Sequence, residues 1–156
     1  MAYDYPIREI KKGVEVCLGT LSRSDSFLLE SGASEMSISH KLAEYLQAHF
    51  PDWDVDCEYN RKGLEPKVLQ GIHECSDKKS TDRVFPDIII HRRNSNDNLL
   101  VIEVKNGSDD PCDLKKLELF TSPDGNFKYK LGLFIRLDGT KKSSLRWFND
   151  GKEDWK

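Results

Sequence analysis

Two carboxylates and a lysine stand where they could bind a hard cation and act beside it. Asp87 follows Pro86 at the start of one apolar run, and Glu103 and Lys105 end a second apolar run. A turn cluster near Ser95 separates the runs, which predicts a hairpin with Asp87 roughly opposite Glu103 or one residue off. Opposed side chains on paired strands lie about 5 Å apart. Two carboxylates at that distance repel each other unless a cation joins them, and Mg²⁺ prefers such oxygen ligands.

The second run changes character along one of its faces. Because side chains of a strand alternate between two faces, Val101, Glu103 and Lys105 share one face. That face turns from apolar to charged at its C-terminal end. Each group alone has an ordinary explanation, an exposed strand end for Glu103 and Lys105 and a turn for Asp87. Their convergence on one hairpin favours a site.

Glu35 supplies a third carboxylate. In a helix, Glu35, Leu42 and Leu46 fall within about 20° of one direction, so Glu35 lies at the middle of an apolar face. A carboxylate there is unexpected unless it has a partner. The alternative is that Glu35 occupies the first helical turn, where the helix dipole favours a negative charge.

The apolar periodicity and the turn residues predict the elements that position these groups. Helices are predicted over residues 5–21, 35–50 and 112–121, and strands over residues 54–60, 84–92, 98–105 and 127–137. Weaker patterns suggest strands at 68–72 and 145–148, and a linker over 22–34. The predicted fold is α/β, one domain with a mixed central sheet flanked by helices. Residues 1–33 form an N-terminal helix and linker, and residues 34–150 form the core.

Pro86-Asp87, fifteen further residues and then Glu103-Val104-Lys105 resemble the motif of the PD-(D/E)XK nuclease superfamily. The stretches 58–61, 86–91 and 113–117 are also similar to small bacterial members of that superfamily. The resemblance covers residues 35–137. It implies the restriction-endonuclease-like αβββαβ core, and the predicted element order agrees with that core.

The resemblance also implies a role for each matching residue. Asp87, Glu103 and the Val104 carbonyl would hold Mg²⁺ or Mn²⁺. Lys105 would orient or deprotonate the attacking water and stabilise the developing negative charge. Glu35 would match the helix acid that many members use, through water or a second ion. The implied function is hydrolysis of nucleic-acid phosphodiester bonds, with DNA expected before RNA.

Four further residues are predicted to contact the substrate. Lys115 and Lys116 lie at the start of the helix after the motif, and one of them is expected to bind a phosphate. Arg61 is assigned to the nucleic-acid backbone. His91, on the same strand face as Asp87, is assigned to a phosphate or to a ligand carboxylate. A solvated charge for Arg61 and a structural histidine for His91 remain open.

The composition sets limits on the class of protein. The chain has 156 residues, of which 37% are hydrophobic and 33% charged, and its apolar runs are too short to cross a membrane. The N-terminal residues lack the apolar core of a secretory signal, so a cytoplasmic protein is expected. The four cysteines are scattered and are read as reduced thiols. His73 and Cys75 make at most half of a zinc site.

The net charge of −3 bears on the partner. Proteins that coat nucleic acid unaided are usually basic, so this chain would need a local basic patch, a homodimer or a protein partner. The alternative functions are a catalytically silent binding module on the same fold and a domain in which the acids hold a structural ion. An intact Asp87, Glu103 and Lys105 favours the enzyme over the silent module.

Overall fold

The computed structural model describes residues 5–57, 86–139 and 141–155 of the chain. This part contains four helices, α1 (Ile7–Ser24), α2 (Ser26–Glu30), α3 (Glu35–His49) and α4 (Pro111–Thr121). It contains six strands, β1 (Asp54–Cys57), β2 (Ile88–His91), β3 (Asn98–Asn106), β4 (Leu131–Asp138), β5 (Lys141–Asn149) and β6 (Lys152–Asp154). From α3 to β4 the described order is helix, three strands, helix and strand, as predicted.

The strands form one sheet in which spatial order follows chain order, from β1 at one edge to β6 at the other. β3 and β4 are parallel, and the other neighbouring pairs in the described part are antiparallel. Parallel neighbours need a crossover connection, and α4 provides it. The prediction of a mixed sheet flanked by helices is therefore confirmed.

Helices cover both faces of the sheet. The first core cluster joins α1 and α3 to the even-numbered residues of β2 and β3, which are Ile88, Ile90, Leu100, Ile102 and Val104. The second cluster joins α4 to the residues of the opposite face, which include Ile89, Val101, Phe134 and Phe148. Strands buried on both faces read as continuous apolar runs, which explains the sequence of β2 and β3.

Capping residues set the start of the two helices that matter most for the site. The Ser34 hydroxyl accepts a hydrogen bond from the Ser37 amide at the start of α3 (3.2 Å). Asp110 accepts one from the Cys112 amide at the start of α4 (2.9 Å), and Pro111 takes the first helical position. Proline suits that position because its missing N–H would have no partner within the helix.

The predicted linker over residues 22–34 is wrong in part. It contains the last turn of α1 and the short helix α2. Leu28 and Leu29 of α2 pack against the first core cluster. A five-residue helix is too short to show a helical period, so the apolar patch alone could not identify it.

The end of the chain also differs from the prediction. The predicted strand at 127–137 begins only at Leu131, because Phe127 and Tyr129 pack on Phe120 in the second core cluster. The predicted strand at 145–148 lies within β5, and β6 was not predicted. Asp150 and Gly151, both with positive φ, form the tight turn between them, and an Asp-Gly pair is a known hairpin signal.

Some predictions fall outside the described residues. These are the strand at 68–72, positions 58–60 and 84–85 of two other strands, and the His73–Cys75 pair. Within the described ranges, none of the helices is both long and apolar enough to cross a membrane.

Candidate functional site

Asp87 and Glu103 face each other at the end of the β2–β3 pair. Ile88 pairs with Ile102, so the register extended by one residue places Asp87 opposite Glu103. The two carboxyl groups share a hydrogen bond, which lowers the pKa of Asp87 and raises that of Glu103. Asp87 Oδ2 accepts a hydrogen bond from the Val104 amide (2.7 Å). The predicted opposition of the two acids is thus present in the structure.

Glu103 is more deeply buried than Asp87. The residue is 4% exposed, and its Oε1 has no hydrogen-bond partner among the described residues. Burial raises the pKa of Glu103 well above its ordinary value, and the charge of Asp87 raises it further. A buried carboxyl oxygen without a partner is costly, which marks a place where a ligand would relieve the cost.

Asp87 is held in the same environment with more hydrogen bonds. Burial raises the pKa of Asp87, and the hydrogen bonds from Val104 and Glu103 lower it by less. The charges of Asp113 and Glu35 raise it as well. Glu35 lies half-buried in the first turn of α3, and its effect on Asp87 brings it into the electrostatic surroundings of the pair.

The Val104 carbonyl is directed toward the same place. In an extended strand the N–H and C=O of one residue point to the same neighbour. Since the Val104 N–H donates to Asp87, its carbonyl oxygen also points toward the side of β3 on which Asp87 lies. The Val104 side chain is on the other face and packs in the first core cluster.

Helix α4 adds an ion pair next to the two acids. Lys116 Nζ lies 3.2 Å from Asp113 Oδ1, and both side chains are largely buried. Burial lowers the pKa of Lys116, but the negative charges of Glu103, Asp113 and Asp87 outweigh it and raise the pKa. Lys116 is therefore the cation that balances this acidic group.

Of the two lysines predicted on α4, only Lys116 joins the pair of acids. Lys115 is exposed and lies 3.8 Å from Glu118. Asp113 is not among the residues predicted for the site from the sequence. A signal for it was present, because Asp113 lies three residues before Lys116 and four before the buried Leu117, so all three share one side of the helix.

Lys105 lies on the same strand face as Glu103 but makes its own ion pair. Its Nζ is 3.6 Å from Asp110 Oδ2, and both side chains are about one-third exposed. Asp110 also caps α4, so the start of that helix and the end of β3 are joined through this contact. Lys105 is consequently held at the solvent side of the acid pair.

Of the remaining predicted substrate contacts, His91 is not near this pair. His91 is 3% exposed, and its Nε2 lies 2.7 Å from Asp56 Oδ2. It is four residues from Asp87 along the chain, which is about 13 Å along a strand. Its position supports the structural interpretation of His91, and the predicted substrate contact gains no support. Arg61 lies outside the described residues.

We expect the His91–Asp56 contact to stabilise the fold in a pH-dependent way. Burial would raise the pKa of Asp56, but hydrogen bonds with His91 and Arg93 outweigh it and lower the pKa to about 2 from 3.8. A depressed carboxyl pKa stabilises the fold above pH 3.8, and this contribution is lost as the pH falls toward 2. Asp56→Asn should cost about 1–2 kcal/mol at neutral pH.

Urea unfolding of the wild type and of Asp56→Asn between neutral pH and about pH 2.5 checks this expectation. The difference between the two proteins should shrink at acidic pH, since the wild-type carboxylate becomes protonated there. A difference that stays constant over the whole range would contradict it.

The described residues include no group of three or more His, Cys, Asp or Glu side chains arranged to hold a metal ion. The acids form instead a hydrogen-bonded pair with neighbouring charges. Comparison with protein-family models, with curated proteins and with solved structures gave no match for this chain.

Proposed function

We propose that this chain is a divalent-metal-dependent nuclease that hydrolyses phosphodiester bonds of nucleic acid, DNA before RNA. The observation that carries the proposal is the contact between the Asp87 and Glu103 carboxyls, with Glu103 Oε1 buried and without a partner among the described residues. The order α3, β1, β2, β3, α4, β4 also supports the restriction-endonuclease-like core that the PD-(D/E)XK resemblance implies.

The donors at the pair suit Mg²⁺ or Mn²⁺. Asp87, Glu103 and the Val104 carbonyl offer only oxygen, which hard divalent cations prefer. Mg²⁺ commonly takes one or two carboxylates and completes its shell with water and substrate phosphate, so a third acidic ligand is not needed. When bound, the ion would make a water molecule more acidic and neutralise charge on the phosphate.

Side chains of the protein would orient the water, stabilise the phosphate and set the charge around the acids. Hydrolysis forms a bond from a water oxygen to phosphorus, breaks the bond to the leaving oxygen, and moves one proton from the water to the leaving group. Lys105 can donate hydrogen bonds to the attacking water and to a phosphate oxygen, because its side chain is about one-third exposed and is on the strand face that carries Glu103. Lys116 and Glu35 set the charge around the acids.

The test is incubation of the purified protein with single-stranded, duplex and branched DNA and with RNA, in Mg²⁺, Mn²⁺ or EDTA. Asp87→Asn is the matched variant, since it keeps the size of the side chain and removes its charge. We expect cleavage that needs the metal and that the variant loses. Cleavage that persists in EDTA would contradict the proposal, and so would equal cleavage by the variant. Metal binding without cleavage of any substrate would favour the silent binding module.

A further inference from the structure

A row of cationic side chains crosses the sheet beside the acid pair. Lys105 pairs with Arg136 on β4, and Arg136 pairs with Ser144 on β5. In the adjoining row, Glu103 pairs with Phe134, and Phe134 with Arg146. Register partners share a face of the sheet, so Lys105, Arg136 and Arg146 are on the face that carries Glu103.

Two aspartates from the loop before α4 cover these cations. Asp109 lies 3.4 Å from Arg136 Nη1 and 2.9 Å from Arg146 Nη1. Asp110 holds Lys105 in the same manner. Arg146 has a second, stronger partner, because its guanidinium also donates two hydrogen bonds to Glu153. Asp109 is therefore the acid that the two arginines share, and its side chain is 39% exposed.

A cavity of about 560 Å³ opens at this place, and Asp109, Arg136 and Arg146 are among the residues that line it. Trp155, which is 83% exposed, lines it too. The cavity does not include Asp87 or Glu103. It begins on β4, which is the strand next to Glu103 and two strands from Asp87. An exposed tryptophan next to arginines is the combination with which proteins bind single-stranded nucleic acid, through base stacking and phosphate contacts.

We propose that Arg136 and Arg146 bind the phosphodiester backbone of the nucleic acid and that Asp109 takes the place of a phosphate in the free protein. Guanidinium groups match phosphate as they match carboxylate, with two parallel hydrogen bonds. The cavity lining holds two arginines and three acids. Glu153 is paired with Arg146 and Asp154 with Lys11, so Asp109 is the acid whose displacement makes Arg136 available to a phosphate. The inference deepens the proposed function and rests on it for the identity of the ligand.

The experiment measures binding in EDTA, where the proposed cleavage does not occur. The anisotropy of short fluorescein-labelled single-stranded and duplex DNA is titrated with each protein over a range of KCl. Arg136→Gln removes one of the two proposed phosphate contacts. Asp109→Asn removes the negative charge that pairs with both arginines. Lys12→Gln is the control, because it removes one exposed cation from α1 on the other face of the sheet.

One phosphate contact contributes about 0.9 to the slope of log affinity against log salt, which is about eightfold in affinity at about 0.1 M salt. Arg136→Gln should weaken binding by about that factor for every DNA sequence and reduce the slope by about one. Asp109→Asn should strengthen binding by a similar factor, and Lys12→Gln should behave as the wild type. Trp155→Ala should weaken the binding of single strands more than that of duplex DNA.

Two results would overturn the inference. One is an Arg136→Gln protein that binds like the Lys12→Gln control while Asp109→Asn gains nothing. The other is the absence of DNA binding by both the wild type and Asp109→Asn. Either result can occur in a protein that cleaves DNA, so the nuclease would survive it. Conversely, the expected binding pattern without any metal-dependent cleavage would support the nucleic-acid-binding surface and refute the proposed nuclease activity.

Discussion

Glu103→Gln is expected to slow metal-dependent cleavage strongly and, in EDTA, to make the protein more stable than the wild type. Both effects follow from the same buried carboxyl group. Gln keeps the size of the side chain but cannot supply a negative oxygen to a cation. Stabilisation of transition-state charge by a bound metal is worth several kcal/mol, so the rate should fall by about 10³-fold.

The gain in stability has an electrostatic cause. Without a cation, Glu103 is buried opposite Asp87, and its Oε1 has no partner in the described part of the chain. Burial and the Asp87 charge raise the pKa of Glu103 well above 4.5. Replacement of a destabilising group at a functional site commonly increases the free energy of unfolding by about 0.5–2 kcal/mol.

The sign of the pH dependence provides a second check on Glu103. A carboxyl group with a raised pKa binds more protons in the folded state than in the unfolded state above pH 4.5, so its contribution to stability falls as the pH rises. The gain from Glu103→Gln in EDTA should therefore be larger at about pH 8 than at about pH 5.

Denaturant unfolding in EDTA at these two pH values and cleavage assays in Mn²⁺ give both readouts for Glu103→Gln. Lys12→Gln is a suitable control, because Lys12 is an exposed residue of α1 on the other face of the sheet. A variant that loses activity and stability together would contradict the explanation, since it would show that Glu103 serves the fold.

Lys105→Ala is expected to reduce kcat by about 10²–10³-fold, with KM and stability nearly unchanged. The expectation of unchanged stability comes from the Lys105–Asp110 contact, in which both side chains are about one-third exposed and the atoms are 3.6 Å apart. An exposed pair of this kind contributes about 0–1 kcal/mol. An interaction made only in the transition state lowers kcat and leaves KM alone.

Two further variants make the Lys105 prediction specific. Lys105→Arg keeps a permanent charge that cannot be deprotonated, so partial rescue would assign Lys105 an electrostatic role, and no rescue would favour proton transfer. Lys116→Ala removes the lysine that balances Glu103 from α4. Full activity of Lys105→Ala together with loss in Lys116→Ala would contradict the assignment and give the catalytic role to the helix lysine.

The sequence by itself determined the elements around the acid pair. Strand alternation and a turn at a known place are local properties, and together they predict which residues of two consecutive strands oppose each other. For that reason the opposition of Asp87 and Glu103 could be predicted without a structure. The start of α4 was predictable as well, since Asp110 and Pro111 are local helix-start signals.

Only the tertiary structure decided which charges surround that pair. Asp113 and Lys116 are close to Glu103 because α4 crosses back over the sheet to join β3 to β4. The orientation of a crossover helix on the sheet does not follow from its local sequence pattern. His91 meets Asp56 through the pairing of β1 with β2, which are separated along the chain by residues outside the described part.

Asp109 meets Arg136 and Arg146 for the same reason, since β4 and β5 lie far along the chain from the loop that carries Asp109. Contacts between residues that are close in sequence follow from local geometry, whereas these contacts depend on how separate elements pack. The motif could therefore be recognised in the sequence, whereas the charges around it could be identified only from the fold.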